Sequence, residues 1–164
     1  MSAALLIADS GPLIALARLD LLDLPARYFE SVLVPSTVWE EVTRKPGVDE
    51  APRLLSAIDA RLIRIVADPA TIPESLLRTT IDAGERHAIA LGIELKASLL
   101  IDDRRARLVA VELGRPVIGT LGLLLRARED GVFSALRPLL ERLQASGYYL
   151  PSELVRDILS SLDE

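Results

Sequence analysis

The chain has 164 residues and a formal net charge of −5, which suits a single domain with room for a sizeable core. Half of its residues are hydrophobic but only 4% are aromatic, a balance that favours helices over an all-β sandwich. Cysteine is absent and His87 is the only histidine, so disulfides, thiolate catalysis and histidine-rich metal sites are excluded. Any metal site must use hard oxygen ligands, which select Mg²⁺ or Mn²⁺.

The net charge and the first residues of the chain indicate which partners and which cellular location to expect. The net charge argues against a nucleic-acid partner, but bound cations would neutralise acidic clusters, and arginines gather at Arg104, Arg105 and Arg107. No apolar stretch approaches the roughly 18 residues of a membrane span, and residues 1–4 contain no basic region. We therefore expect a cytoplasmic protein with no membrane partner.

Apolar runs and helical periodicities alternate along the chain. They predict strands at 4–8, 31–34, 62–66, 98–101 and 116–118. Helices are predicted across 11–29 and at 36–44, 50–60, 83–95, 103–113 and 120–130. The two prolines within 67–73 indicate a surface loop. This alternation is typical of an α/β domain with a mostly parallel central sheet.

The pattern changes after Gly131. Two apolar helical stripes follow, one from Phe133 to Leu143 and one from Leu154 to Leu162, and 147–151 separates them. We predict a helical hairpin over 132–164 that extends the domain formed by 1–131 and carries no acidic site. Because exposed apolar stripes favour aggregation, the hairpin should cover the domain itself or contact another chain.

Two acidic positions directly follow apolar runs. Asp9 follows 4–8 and Asp102 follows 98–101, which places both at the carboxyl ends of predicted parallel strands. Ligands bind at this edge of open α/β sheets. Taken alone, Asp9 could instead belong to a turn that starts a helix at Pro12.

Two predicted helices supply further acids. In helix 36–44, Glu41 lies nearer the buried face than Glu40 does, although both could be solvated surface acids. Glu85 falls within the buried arc of helix 83–95, and a buried carboxylate needs a partner. Alternatively, Glu85 could complete a capping box with Asp82.

The pair Asp102 and Asp103 lies at a strand-to-helix junction, where either residue could be the N-cap of helix 103–113. Helical phase places Asp103 on the face of Ala106 and Ala110, so we predict that it points inward. Two adjacent acids exceed what one cap needs. The joint occurrence of four acidic sites favours a metal site with these candidate ligands: Asp9, Glu41, Glu85, Asp102 and Asp103.

The segment from Gly119 to Gly122 follows a strand and opens a helix, so Thr120 could contact a phosphate or a metal-bound water. A plain N-cap is an equal alternative, because the spacing is too loose for a nucleotide-binding fingerprint. His87 lies opposite the buried arc of its helix and is interpreted as a surface residue.

Five short motifs occur in order along residues 4 to about 130. They are Asp9-Ser10, Pro35-x-x-Val38-x-x-Glu41, Gly84-Glu85-x-x-Ala88-Ile89, Asp102-Asp103-x-x-Ala106-Arg107 and Gly119-Thr120-x-Gly122. Together these motifs resemble the PIN-domain family, in the branch similar to toxins of VapC type.

The resemblance implies a three-layer α/β/α nuclease that cuts RNA with Mg²⁺ or Mn²⁺, often as a homodimer held inactive by an antitoxin protein. Carried over to this chain, the catalytic acids are Asp9, Glu41, Glu85 and one of Asp102 or Asp103, of which the usual spacing favours Asp103. Possible contacts to substrate or water are Ser10, Thr120, Arg104 and Arg107. Glutamate at position 85, where many members have aspartate, and the helical tail depart from the commonest pattern.

A non-catalytic PIN-like binding module is the alternative from another class, in which the acids make only structural hydrogen bonds. All acid positions are filled, which favours an enzyme. A phosphatase of haloacid-dehalogenase type also begins with a strand and an aspartate, but it needs a second aspartate where Gly11 stands. We therefore predict a metal-dependent endoribonuclease, the toxin of a toxin–antitoxin pair.

Overall fold

A computed structural model describes residues 4–45 and 49–164 of the chain. The chain divides into two compact units, Met1–Thr120 and Leu121–Glu164. The expectation that no basic region opens the chain concerns residues 1–4, of which 1–3 lie outside the described residues. Across the described ranges, no helix combines the length and apolar character needed to cross a membrane.

The first unit is built on a five-stranded sheet. Its strands are β1 (Leu5–Ala8), β2 (Ser31–Pro35), β3 (Arg64–Val66), β4 (Ser98–Leu100) and β5 (Val117–Ile118). Their order is β3-β2-β1-β4-β5 and every pairing is parallel, which confirms the predicted α/β class. Chain order reverses between β1 and β4, so their carboxyl ends flank the crevice where such sheets bind ligands.

Helices follow the strands and complete a three-layer α/β/α arrangement. In chain order they are α1 (Ser10–Arg18), α2 (Ser36–Arg44), α3 (Ala51–Asp59), α4 (Glu74–Leu77), α5 (Ala83–Leu95) and α6 (Arg104–Glu112). The next helix, α7 (Thr120–Glu129), begins at the last residue of the first unit and continues in the second. The predicted helical region 11–29 consists of α1 and a 3₁₀ turn at Pro25–Arg27. The sequence does not predict α4, because four residues are too few for a helical period to emerge.

The aliphatic core explains why the sheet forms where the apolar runs lie. Leu6 and Ile7 of β1 and Leu99 and Leu100 of β4 are fully buried, as expected for strands covered on both faces. Ile89 of α5 packs into the same core. Side chains at the carboxyl ends of β1 and β4 are therefore attached to the most buried strands of the sheet.

The second unit contains the predicted helical hairpin, α8 (Arg137–Ala145) and α9 (Ser152–Ser161). The first apolar stripe begins at Phe133, but α8 starts only after its N-cap, Leu136. The Glu164 carboxylate accepts hydrogen bonds from the backbone N–H groups of Leu136 and Arg137, and these bonds lower the pKa of Glu164. This carboxylate satisfies donors that a helix start otherwise leaves free.

Asp68, in the loop after β3, caps the helix that carries Glu41. Its Oδ1 accepts from the Thr37 backbone N–H at 3.0 Å, and its Oδ2 accepts from the Thr37 hydroxyl at 2.6 Å. Pro35, the N-cap residue of α2, makes no side-chain cap. The loop therefore supplies the capping side chain that the N-cap residue of α2 does not provide.

We expect Asp68→Ala to lower the free energy of unfolding by about 1 kcal/mol, because it removes a helix cap. Asp68→Asn keeps an acceptor for the Thr37 N–H and should cost less. Urea denaturation of both variants measures the difference. Equal stability of wild type and Asp68→Ala would contradict the capping role.

Candidate active site

Asp9 is the most deeply placed acid of the site. It follows β1 directly, and its backbone N–H donates to the Leu100 carbonyl of β4 at 3.0 Å. Only 4% of its surface is exposed, and its Oδ1 has no hydrogen-bond partner within the described residues. It occupies the N-cap position of α1, but its side chain makes no capping hydrogen bond. The alternative interpretation as a helix-starting turn residue therefore leaves the carboxylate unexplained.

The surroundings of Asp9 disfavour its charged form. Burial raises its pKa to about 8, the hydrogen bond from the Ser10 backbone N–H opposes the shift, and the charges of Asp82, Glu85 and Glu41 add to it. A buried carboxylate with an unpartnered oxygen is costly unless it is protonated or paired with a cation. The burial of Asp9 and the acids around it thus favour the binding of a positive charge.

Glu41 reaches the site from α2. It is half-buried while Glu40 is exposed, as helical phase predicts. Its Oε1 accepts from the Gly84 backbone N–H at 3.0 Å, and the Ser10 hydroxyl donates to the same carboxylate. Burial and the charge of Asp82 raise the pKa of Glu41, and these two hydrogen bonds partly oppose them.

Glu85 forms the capping box that was the alternative interpretation of its position. Its Oε2 accepts from the Asp82 backbone N–H at 3.0 Å, while its own N–H donates to Asp82 Oδ1 at 2.8 Å. Glu85 is nevertheless buried, with 8% exposed. Burial raises its pKa to about 7 against the effect of the Asp82 N–H, with contributions from the charges of Asp82, Asp103 and Glu41. Capping and membership of the acidic cluster are therefore compatible.

Asp82 is a fifth member of the cluster, although its place in the sequence predicts only a helix cap. Its charge raises the pKa values of Asp9, Glu41 and Glu85. One feature of the sequence does indicate membership of the cluster. Asp82 immediately precedes the helix that carries Gly84 and Glu85, and an N-cap residue lies at the same helix end as the first-turn residues it caps.

Asp103 is exposed, so the prediction that it points inward is wrong. It is the N-cap of α6, with an extended backbone at φ −61° and ψ 126°, and its Oδ1 accepts from the Ala106 N–H at 2.9 Å. Helical phase does not apply to a residue that precedes the helix. Asp103 still lies close enough to Glu85 for its charge to raise the pKa of Glu85.

Asp102 has partners of its own. Its Oδ1 accepts from the Thr120 backbone N–H at 2.7 Å, and its Oδ2 accepts from the Thr120 hydroxyl at 2.6 Å. Thr120 is therefore engaged with Asp102 at the start of α7, and Ser10 is engaged with Glu41. These bonds favour Asp103 over Asp102 as the member of the pair that faces the cluster.

An open cavity of 630 Å³ adjoins the acids, and Asp82, Glu85, Asp103, Arg104 and Arg105 contribute to its lining. Arg107 lies elsewhere, against Gly119, where a Cβ atom would come within 2.7 Å of its Nη1. His87 is partly exposed, and its Nδ1 lies 2.6 Å from the Ala83 carbonyl oxygen. Arg104 thus contributes to the lining of this cavity, and Arg107 does not.

The chemistry of the donors fits a hard divalent cation, because every candidate is a carboxylate oxygen and Asp9 Oδ1 is unpartnered. Across 4–45 and 49–164, however, no three acidic or histidine side chains are already grouped as metal ligands. Glu41, Glu85 and Asp103 are each held by a backbone N–H group. A cation would have to draw these carboxylates together.

Comparison with known proteins identifies the fold. A family model described as "DUF3368: PIN domain" matches residues 5–164. Comparison with curated proteins gives no match. Among solved structures, a PilT N-terminus domain protein, SSO1118 of Sulfolobus solfataricus, is similar with a TM-score of 0.58 and 21% identity, covering 75% of this chain and 92% of that one.

Two further archaeal structures are similar. A domain of a functionally unknown protein from Methanocaldococcus jannaschii has a TM-score of 0.50 and 15% identity over 71% of this chain and 91% of its own. PAE2754 of Pyrobaculum aerophilum has a TM-score of 0.50 and 18% identity, covering 75% of this chain and 88% of its own. The family model matches nearly the whole length of the chain, which therefore belongs to the PIN-domain family.

Proposed function

We propose that this PIN domain is an endoribonuclease that uses Mg²⁺ or Mn²⁺. PIN domains are generally nucleases, which supports the class of reaction. The observation that carries the proposal is the buried, unpartnered Oδ1 of Asp9, surrounded by the charges of Glu41, Asp82 and Glu85. Such a site stabilises a cation more than it stabilises its own carboxylates.

The acids would divide the work according to their environments. Asp9, which has an unpartnered oxygen, and Asp103, which borders the open cavity, would hold the metal. When bound, the metal supplies charge neutralisation at the phosphate and activation of water. Glu85 has a pKa raised to about 7, so it could accept a proton from the attacking water near neutral pH. Glu41, whose pKa is also raised, would be a second candidate base. Ser10 would orient Glu41.

The substrate would approach along the open cavity. Arg104 and Arg105 contribute to its lining beside the acids, where guanidinium groups can bind the phosphates on either side of the cleaved bond. Arg105 donates a hydrogen bond to the Thr80 hydroxyl, which leaves Arg104 as the better candidate of the two. Because these contacts are made to the phosphates of the RNA backbone, they predict little preference for particular RNA sequences.

A non-catalytic PIN-like module is the second candidate, and the capping bonds of Glu85 and Asp103 favour it. In that case both acids would serve helix starts only. The hypothesis of a non-catalytic module does not explain Asp9. A buried carboxylate with a purely structural role would be hydrogen-bonded, whereas Asp9 Oδ1 has no partner among the described residues.

Asp9→Asn should lower RNA cleavage at least about a hundredfold in a folded protein, because it removes one ligand charge from the metal. Glu41→Gln should also reduce cleavage, whereas Glu40→Gln should not. Glu40 lies on the same helix but is exposed and contacts Arg44, so it is a matched control. Cleavage of labelled RNA with Mg²⁺, Mn²⁺ or EDTA measures the effect, and undiminished cleavage by Asp9→Asn would refute the proposal.

Stability should depend on pH and metal together. Asp9 and Glu85 hold protons to about pH 8 and 7 in the folded chain, against 3.8 and 4.5 for ordinary carboxyls. Between about pH 4 and 8 the folded state therefore binds more protons than the unfolded state. The free energy of unfolding falls as pH rises through this window. Added Mg²⁺ or Mn²⁺ should restore it at the alkaline end.

Glu85→Gln tests the same electrostatics, because glutamine still accepts from the Asp82 N–H but carries no charge. We expect this variant to raise the metal-free melting temperature at pH 8.5 and to change it less at pH 5. Thermal melts at both pH values, with and without millimolar Mg²⁺, provide the measurement. A gain independent of pH would contradict the cost of ionising Glu85, through its burial and the nearby acids, as the cause.

The finer proposal is that the nuclease is the toxin of a toxin–antitoxin pair, acting as a homodimer until an antitoxin binds it. The motif resemblance to VapC-type toxins supports this role. Induced expression of the wild type should arrest growth of a bacterial host, and Asp9→Asn expressed at the same level should not. Equal growth with both proteins would leave a nuclease without toxin function.

A further inference from the structure

Gly84 is the second residue of α5, and it lies against the Glu41 carboxylate. Its backbone N–H donates to Glu41 Oε1 at 3.0 Å. A Cβ atom at Gly84 would lie 2.7 Å from that oxygen and 2.8 Å from Glu41 Cδ, and closer still to Oε2. Any side chain at position 84 would therefore occupy the space that the Glu41 carboxylate fills.

Nothing in the backbone requires glycine at this position. Gly84 lies within a regular helix and does not have a positive φ angle. Within a helix, alanine is generally more favourable than glycine. The requirement for glycine thus comes from the neighbouring carboxylate and not from the fold.

The clash has a specific outcome, because the atoms that a methyl group would meet belong to the end of a flexible side chain. Glu41 can rotate away at little cost to the helix, and only the position of its carboxylate is lost. That carboxylate adjoins Ser10 and contributes to the raised pKa of Asp9, whose Oδ1 is buried and unpartnered. Movement of Glu41 therefore changes the cluster and spares the core.

We infer that Gly84 is a positioning residue for the acidic site, holding the Glu41 carboxylate by its N–H and leaving room for it by lacking a side chain. The inference rests on the proposed metal-dependent nuclease function. It assigns a role in the site to a residue that has no functional group of its own.

The test compares wild type and Gly84→Ala as full-length proteins. Mn²⁺ affinity by calorimetric titration and cleavage of labelled RNA should each fall about tenfold or more, the usual effect of losing a residue that orients a metal ligand. The metal-free melting temperature should not fall, because the helix gains alanine. Unchanged Mn²⁺ affinity and cleavage would overturn the inference.

Gly92→Ala is a matched control on the same helix. Its Cβ atom would meet Leu99 Cδ2 at 2.8 Å, so the new methyl group collides with the apolar core and not with a carboxylate. This variant should melt at a lower temperature and retain the Mn²⁺ affinity of wild type. If Gly84→Ala instead loses stability as Gly92→Ala does and keeps its affinity, its role is packing.

A second substitution separates positioning from general damage. Glu41→Asp shortens the side chain by one methylene and withdraws the carboxylate from position 84. In the Gly84→Ala background it should recover part of the Mn²⁺ affinity, whereas in wild type it should reduce affinity. Loss in both backgrounds would overturn the inference. Absence of Mn²⁺ binding and cleavage in wild type would overturn the proposed function as well.

Discussion

The burial of Asp9 is the constraint on which the site depends. Its backbone is hydrogen-bonded to β4, and its side chain emerges where β1 ends among fully buried aliphatic residues. It cannot move into solvent without disturbing the centre of the sheet. The remaining acids come from helix ends and from α2, and each is held by a hydrogen bond from a backbone N–H group. The cluster thus combines one buried carboxylate at a strand end with others that backbone donors hold in place.

The positive ends of helices keep these acids close together at a tolerable electrostatic cost. Gly84 and Asp82 at the start of α5 donate to Glu41 and Glu85, and Ala106 in the first turn of α6 donates to Asp103. Helix N-termini favour negative charge. Without these donors, mutual repulsion would separate the acids. The capping bonds and the acidic cluster are therefore two aspects of one arrangement.

The sequence predicts the sheet well because its inner strands are buried on both faces. The apolar runs before Asp9 and Asp102 correspond to β1 and β4, and the loop at 67–73 has no regular structure. The short helix α4 is not predicted because its four residues are too few to show a helical period. The order of the strands is not contained in any local pattern and becomes visible only when the strands pair.

The candidate site is predictable in composition but less so in detail. Helical phase correctly separates Glu41 from Glu40, since both lie inside a regular helix. The same argument fails for Asp103, because a cap residue has extended backbone angles. Asp82 is not predicted as a site residue, because an N-cap role already explains an acid at that position. Phase describes residues within helices, whereas this site is built largely from residues that precede them.

The capping bonds also have a consequence for which ions the proposed site would admit. An ion that draws Glu85 or Asp103 out of its present position must break that residue's hydrogen bond to an N–H donor, and a hydrogen bond to a charged group contributes about 1.5–3 kcal/mol. A monovalent ion gains too little from each carboxylate to displace such donors, whereas a small divalent ion gains more. The N–H donors at the helix starts would thus disfavour monovalent ions, because such ions could not displace the donors and assemble the carboxylates as ligands.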